Sequence, residues 1–317
     1  MSVGNTGLPR ADVPAAFDVG AHAYDRLVGA SPGYHAHLRL SAQRLRLPDQ
    51  GRGLRLLDAG CGTGASTAAL LSVAPHADIV AIDASRGMLD EAKNKSWPSS
   101  VQFVHTPVEG LAENGIVGPF DGILAAYLIR NLSDPDTQLQ ALRNLLAPGA
   151  TLAVHDYSVR DSRAATLVWH AVCWSIIIPS GWLQTRDATL YKHLWRSVLT
   201  FDGATQFRQR LRDAGFTAVR SETMPGWETQ IAHTFLGDAP CRPIAVATPF
   251  RRQTACTAQR PWRRGRARSS SAPESRAWPP RRVWPSAASA STSSNGRTIW
   301  AGGSAAGPIT PTASSSP

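Results

Sequence analysis

The run LLDAGCGTG, Leu56 to Gly64, constrains what this chain can fold into more than any other segment. An apolar stretch ends at Asp58-Ala59, the chain turns through Gly60, Gly62 and Gly64, and a helical pattern follows. Glycine permits positive φ and lets backbone come close to a ligand. A strand, a glycine turn and a helix in that order make the nucleotide-binding unit of open α/β folds. The turn alone is weak evidence, because dinucleotide enzymes share it and a plain tight turn also uses glycine. The spacing here, however, is G-x-G-x-G preceded by an acid, whereas the dinucleotide turn is G-x-G-x-x-G. A carboxylate beside the turn disfavours a pyrophosphate and favours a ligand that carries an ammonium and a sulfonium.

The segments that follow extend the unit into a sheet. Short apolar runs at 54–59, 78–83, 101–105, 120–127 and 150–158 alternate with amphipathic stretches. Such alternation predicts a parallel sheet covered by helices on both faces. One helix start is well marked. Ser133 or Asp134 caps it, Pro135 fits its first turn, Leu139, Leu142, Leu145 and Leu146 form the buried stripe, and Pro148-Gly149 ends it. A last helix over 203–214 leads to two closing strands, FTAVRSETM and ETQIAHTFL. Residues 1–50 read as a helical lid, 51–238 as the catalytic domain, and 160–200 as a helical insert rich in tryptophan and isoleucine.

Charge separates the remainder. The net charge of +10 suggests a nucleic-acid binder until it is mapped. Residues 239–317 hold twelve arginines, no lysine and one acid, Glu274, while the first 238 residues carry 21 basic and 22 acidic side chains. The folded part therefore lacks the basic excess that phosphate contacts need, so no specific nucleic-acid partner is expected. The Arg/Ser/Ala/Pro-rich tail has no sustained periodicity and is expected to be disordered. Its origin has two readings, a native basic tail or an out-of-frame translation. Read one base out of frame with suitable third bases, residues 269–285 become a valine-rich strand, a G-x-G-x-x-G turn and a helix. The single tryptophan codon forces alanine at Pro279 and Pro285 in that frame. No secretory signal or uninterrupted membrane-length apolar run is visible. Four cysteines, Cys61, Cys173, Cys241 and Cys256, lack paired or metal-type spacing. A cytoplasmic location and no metal site are the expectation.

Asp83 ends the second strand about 20 residues past the glycine turn, where an acid accepts the hydroxyls of a ribose. Met88, in the next helix, is placed to pack on an adenine face or to serve as ordinary helix core. Val108 follows the third strand, where the adenine edge lies.

These residues resemble the class I methyltransferases. Within that class, FDGILAAYLIRNLSDPDTQLQALRNLLAPGATLAVHDYS, residues 120–158, is similar to the ubiquinone/menaquinone biosynthesis C-methyltransferase family. The match lies in Arg130-Asn131, Pro148-Gly149 and Asp156-Tyr157-Ser158. Further on it includes Ile178-Pro179-Ser180-Gly181, Tyr191 with Leu194 and Ser197, Ala214-Gly215-Phe216, and Gly226 with His233. The resemblance covers about residues 14–237. Departures fall on the acceptor side: Ile129 before Arg130, Arg196 in place of an acid, and a longer segment from Pro225 to His233.

The resemblance implies a Rossmann-like α/β fold, with a seven-stranded, mainly parallel sheet whose last strand is antiparallel. It also implies S-adenosyl-L-methionine as cofactor. Asp58, Gly60, Cys61, Gly62 and Gly64 would hold it from one side, and Asp83, Ala84, Met88, Val108 and Asn131 from the other. The expected acceptor is a small lipophilic quinol methylated on carbon. Another lipophilic or phenolic acceptor is the alternative.

Methyl transfer needs the nucleophile held in line about 3–3.5 Å from the methyl. A ring hydroxyl must lose its proton before its carbon attacks, so a base is needed nearby. His155, Asp156, Tyr191 and His193 are the candidates, each also credible as a strand-end or helix-face residue. In the insert, Trp169, Trp174, Ile176, Ile177, Ile178 and Trp182 read as the wall of a prenyl channel, as a face resting on a bilayer, or as a buried helix over the sheet. The sequence leaves the oligomeric state open.

Overall fold

The computed structural model describes residues 9–29 and 33–241. The Arg-rich segment from 242 onward, and with it the reading of 239–317 as a tail, lies almost wholly outside the described residues. Two helices, α1 (Val13–Gly29) and α2 (Tyr34–Arg44), precede the sheet. Alternating elements follow: β1 (Arg55–Ala59), α3 (Ala65–Val73), β2 (Asp78–Asp83), α4 (Arg86–Lys93), β3 (Val101–His105) and β4 (Phe120–Ala126). Next come α5 (Pro135–Leu145) and β5 (Leu146–Tyr157). Three helices, α6 (Arg163–Val172), α7 (Ile178–Thr185) and α8 (Thr189–Thr200), form the insert. Helix α9 (Ala204–Asp213) and strands β6 (Thr217–Thr223) and β7 (Ala232–Asp238) complete the fold.

The seven strands run in the order β3-β2-β1-β4-β5-β7-β6. β1 to β5 pair in parallel, and β7 is antiparallel to both β5 and β6. Strand periodicity sends successive side chains to opposite faces. Leu57, Ile123, Val154 and Phe235 enter one core with Leu139 and Phe207. Their neighbours Leu56, Leu124, Ala153 and Leu236 enter the other with Leu38 and Leu70. Both faces are therefore dry, and the central strands read as continuous apolar runs. β6 is the sheet edge and carries Arg220 and Glu222, which discourages further strand pairing.

Helix α5 begins as expected, with the Asp134 carboxylate accepting the Thr137 N–H at 3.1 Å and Pro135 in the first turn. It ends earlier than Pro148-Gly149. Leu146 already pairs with Phe120 as strand, and Gly149, at φ 80°, lies in a register irregularity. The catalytic fold also runs past residue 238, since Gly149 N–H donates to Ala239 O and Ala239 N–H to Ala150 O. The insert corrects a second expectation. α6, one π-helical stretch over Cys173–Ile177, and α7 form a 21-residue helix, Arg163–Leu183, long and apolar enough to cross a membrane. Pro179 does not break it and falls at the start of α7, directly after the π-helical stretch.

Candidate functional site

The sheet order reverses beside β1, whose neighbours β2 and β4 lead away in opposite directions. The crevice beyond the carboxyl ends of these strands is where open α/β sheets bind ligands. Gly60 and Cys61 both donate their N–H to Ile82 O, at 2.9 and 2.8 Å, which pins the glycine turn to β2. Gly60, Gly62 and Gly64 all have positive φ, the region that only glycine enters at low cost. A Cβ at Gly64 would stand 2.6 Å from the Trp97 ring, whereas one at Gly62 would meet nothing within 4 Å. Gly62 therefore presents bare backbone to open space.

Asp83 Oδ2 accepts the Gly62 N–H at 2.7 Å and Oδ1 accepts the Ser85 N–H at 2.8 Å. Burial pushes its pKa up, and these backbone donors oppose the shift. An ionised carboxylate has about four lone-pair sites, so both oxygens retain room for ribose hydroxyls. Asp58 is more deeply set. Its Oδ2 accepts from Ser66 Oγ at 2.8 Å and Thr67 Oγ1 at 2.6 Å, which fixes the start of α3. Burial raises its pKa to about 7. Its Oδ1 is buried without a hydrogen-bond partner among the described residues, an acceptor suited to a cationic group nearby.

These residues border a cavity of about 330 Å³. Of the expected cofactor set, Gly60, Cys61, Gly62, Asp83 and Ala84 line it, as do Met88, Val108 and Asn131. Asp58 and Gly64 stand behind the lining. Cys61 is a buried thiol whose pKa is pushed up by burial, so it packs as a neutral group. Val13, Pro14 and Phe17 of α1 and Tyr34 and Leu38 of α2 also line the cavity. Two acids of α1 clamp that helix down. Asp18 accepts from Ser85 Oγ and from the Gly87 N–H. Asp25 accepts from Thr63 Oγ1 and pairs with Lys95. Neither acid was among the expected site residues, although their i, i+7 spacing on one helix face is a legible sign.

The insert does not roof this cavity, because none of residues 160–200 lines it. His193 comes nearest, its Nε2 3.4 Å from Asn131 Oδ1. Burial lowers its pKa, which keeps the ring neutral. The other three candidate bases face elsewhere. His155 is fully buried, with Nδ1 2.9 Å from Ser41 Oγ and Nε2 2.9 Å from Tyr127 OH. Burial lowers its pKa to about 3, so it holds the sheet to α2 as a neutral ring. Tyr191 packs in the insert core with Trp169 and Ile178. Asp156 is fully buried, accepts the Tyr157 N–H and pairs with Arg130.

Arg130, named in the sequence only as part of the family resemblance, and Tyr127, not singled out there, both line the cavity. Burial disfavours the charge on Arg130, but Asp156 more than offsets it, so the guanidinium stays charged. Its Nε is buried without a partner among the described residues. Tyr127 holds φ 56°, uncommon for a non-glycine residue and met at functional sites. It stacks on Tyr34 with centroids 5.8 Å apart and lies 5.3 Å from the Arg130 guanidinium. Among the described residues no group of His, Cys, Asp or Glu could hold a metal ion.

Known proteins place this geometry. A sequence model of the ubiE/COQ5 methyltransferase family matches residues 6–233. The chain is 29% identical over 218 residues to a demethylmenaquinone methyltransferase of Clavibacter sepedonicus, covering 67% of this chain and 85% of that one. It is 28% identical over 172 residues to the ubiquinone/menaquinone biosynthesis C-methyltransferase UbiE of Shewanella oneidensis, covering 53% and 68%. In fold it is similar to the magnesium protoporphyrin IX methyltransferase of Synechocystis, solved with bound cofactor. The TM-score is 0.51 at 15% identity, over 74% of this chain and 99% of that one. The seven-stranded sheet, the glycine turn with its orphaned carboxylate oxygen, and the family match agree: the chain is an S-adenosyl-L-methionine-dependent methyltransferase and belongs to the ubiE/COQ5 methyltransferase family.

Proposed function

We propose that this enzyme methylates a ring carbon of a lipophilic quinol of the menaquinone or ubiquinone type. The observation that carries the reading is Arg130, a charged guanidinium at the cavity wall, set beside the stacked rings of Tyr34 and Tyr127. An aromatic wall suits a planar ring, and a buried cation stabilises the oxyanion of an ionised ring hydroxyl. His193 touches the lining residue Asn131 with a ring N–H that faces Asn131 Oδ1, so its other ring nitrogen would have to take the hydroxyl proton. Charge then flows to the ring carbon and a new carbon–carbon bond forms; that carbon's own proton passes to the ring oxygen, which restores the aromatic quinol, and the proton first taken from the hydroxyl is released to solvent. The cofactor supplies a methyl on a sulfonium, and sulfur keeps the electron pair of the broken bond. Asp83, Met88 and Val108 hold it, and the lid excludes water.

Incubation with demethylmenaquinol and methyl-labelled cofactor tests this. The expected result is label on a ring carbon of the quinol. Label appearing only on a small soluble phenol or a fatty acid contradicts the quinol reading while leaving methyl transfer intact.

A further inference from the structure

The helix Arg163–Leu183 is apolar on both sides. Its inner face, Ala165, Trp169, Cys173 and Ile178, packs into a core with Tyr191 and Val198. Its outer face presents Leu167, Val168, Trp174, Ile176, Trp182 and Leu183, each between 42% and 69% exposed. A surface helix of a globular protein normally turns charged or polar residues outward, and one apolar all round needs a second apolar environment. Crossing a bilayer is excluded by the inner face, which is already committed to the protein. A helix lying flat in the headgroup region fits both faces.

Charge identifies the occupant. Arg163 opens the helix and Arg186 follows it, with no Asp, Glu, Lys or Arg between 164 and 183. The Arg186 guanidinium lies over the Trp182 ring at 5.2 Å. Residues 163–200 hold Arg163, Arg186, Lys192 and Arg196 against one acid, Asp187, while the rest of the first 238 residues carries 17 basic and 21 acidic side chains. The segment that carries the apolar face thus has a positive excess in a protein that is otherwise slightly acidic, and Arg186 by Trp182 and Arg196 by Trp195, which meets Trp174, lie beside that face. Tryptophan with flanking arginine is the composition of a membrane–water interface.

The geometry points to this helix as a docking surface for an anionic lipid bilayer, on which the enzyme rests with α6 and α7 flat in the interface. α7 touches α1, a helix that lines the cofactor cavity. On the cavity side, Tyr127 meets Tyr157 with centroids 4.9 Å apart, and Tyr157 meets Trp169 of α6 at 4.8 Å. One aromatic series therefore links the cavity wall to the docked helix. The inference rests on exposure and charge, not on the identity of the acceptor.

The test uses the full chain and vesicles that contain no quinone. The twelve arginines of 239–317 would bind anionic lipid by themselves, so the decisive arm is neutral phosphatidylcholine at about 1 M salt, where the Debye length is roughly 3 Å. The wild type should co-sediment there, and phosphatidylglycerol at low salt should strengthen binding. The variant Leu167→Glu/Ile176→Glu/Leu183→Glu should lose at least roughly tenfold in partition to neutral vesicles and bind the cofactor unchanged. If the triple variant melts early, Leu167→Glu alone carries the comparison, with a smaller loss expected. A wild type that stays free of neutral vesicles, or variants that bind as well as wild type, overturns the proposal. So does a dimer that these substitutions dissolve in a protein without vesicle affinity, because the face would then join two copies.

Discussion

In the proposed function Arg130 is the residue on which the acceptor chemistry would depend, and its charge is maintained by one partner 26 positions away, Asp156. Arg130→Gln should lower kcat by about 10²–10³, as expected when a buried donor to an oxyanion is removed. It also strands Asp156, and breaking a buried pair on one side costs about 3–5 kcal/mol. The double variant Arg130→Gln/Asp156→Asn should recover most of the lost melting temperature and none of the activity. Rescue of turnover by the double variant would mean that the pair is structural. Asp58 gives a pH signature. Burial raises its pKa to about 7, so between the ordinary carboxylate range and 7 the free folded protein binds more protons than the unfolded chain. Its contribution to stability is therefore present at low pH and lost as pH rises through about 7. A cationic ligand favours the ionised carboxylate. Calorimetry should therefore show cofactor affinity rising from about pH 6 to about 7.5, below the range where the ligand's own amine titrates. Asp58→Asn should flatten that rise, and an affinity independent of pH in the wild type would contradict the assignment. The grouping of Asp58, the glycines and Asp83 at one crevice was legible in the sequence, since they lie within one βαβ unit. His155 was not, because a polar residue at a strand end looks the same whether it faces a cavity or bridges Ser41 and Tyr127 inside the protein. The Arg130–Asp156 pair needed the parallel alignment of β4 with β5 before it could be seen.

At the scale of elements, the strands were readable because a sheet buried on both faces writes itself as short apolar runs. The end of α5 was not, because Leu146 satisfies both the helical stripe and the strand, and pairing with Phe120 decided between them. The insert read equally as the wall of a channel, a bilayer face or a buried helix; its inner face packs on its own core, and α1 and α2, not the insert, line the cavity. α2 is held by the apolar core that contains Leu38 and Ala42, and α1 is tied in addition by Asp18 and Asp25. Asp18→Ala/Asp25→Ala should raise the cofactor dissociation constant by roughly tenfold, the loss of about 1.4 kcal/mol, and speed proteolysis within α1. The melting temperature should fall little. Unchanged proteolysis would show that the lid is held by other contacts.

For the whole molecule, Ala239 marks how far the sheet needs the chain. It is 4% exposed and bonds Gly149 and Ala150. A chain ended after Gly237 should melt several degrees below one ended after Cys241, because the first loses the final pairing of β7 with β5. The expected loss is about 1–2 kcal/mol, or about 2–8 °C in Tm for a domain of this size. Equal melting would make that strand end dispensable. The central claim is that the crevice beyond β1, β2 and β4, closed by α1 and α2, is where the cofactor sits. A crystal structure with S-adenosylhomocysteine tests it most directly. The account predicts the ribose hydroxyls on the Asp83 carboxylate, the adenine between Met88 and Val108, and the amino acid end over Gly60 and Gly62. A ligand bound elsewhere, or one in this crevice with Asp83 out of hydrogen-bond reach, would contradict it.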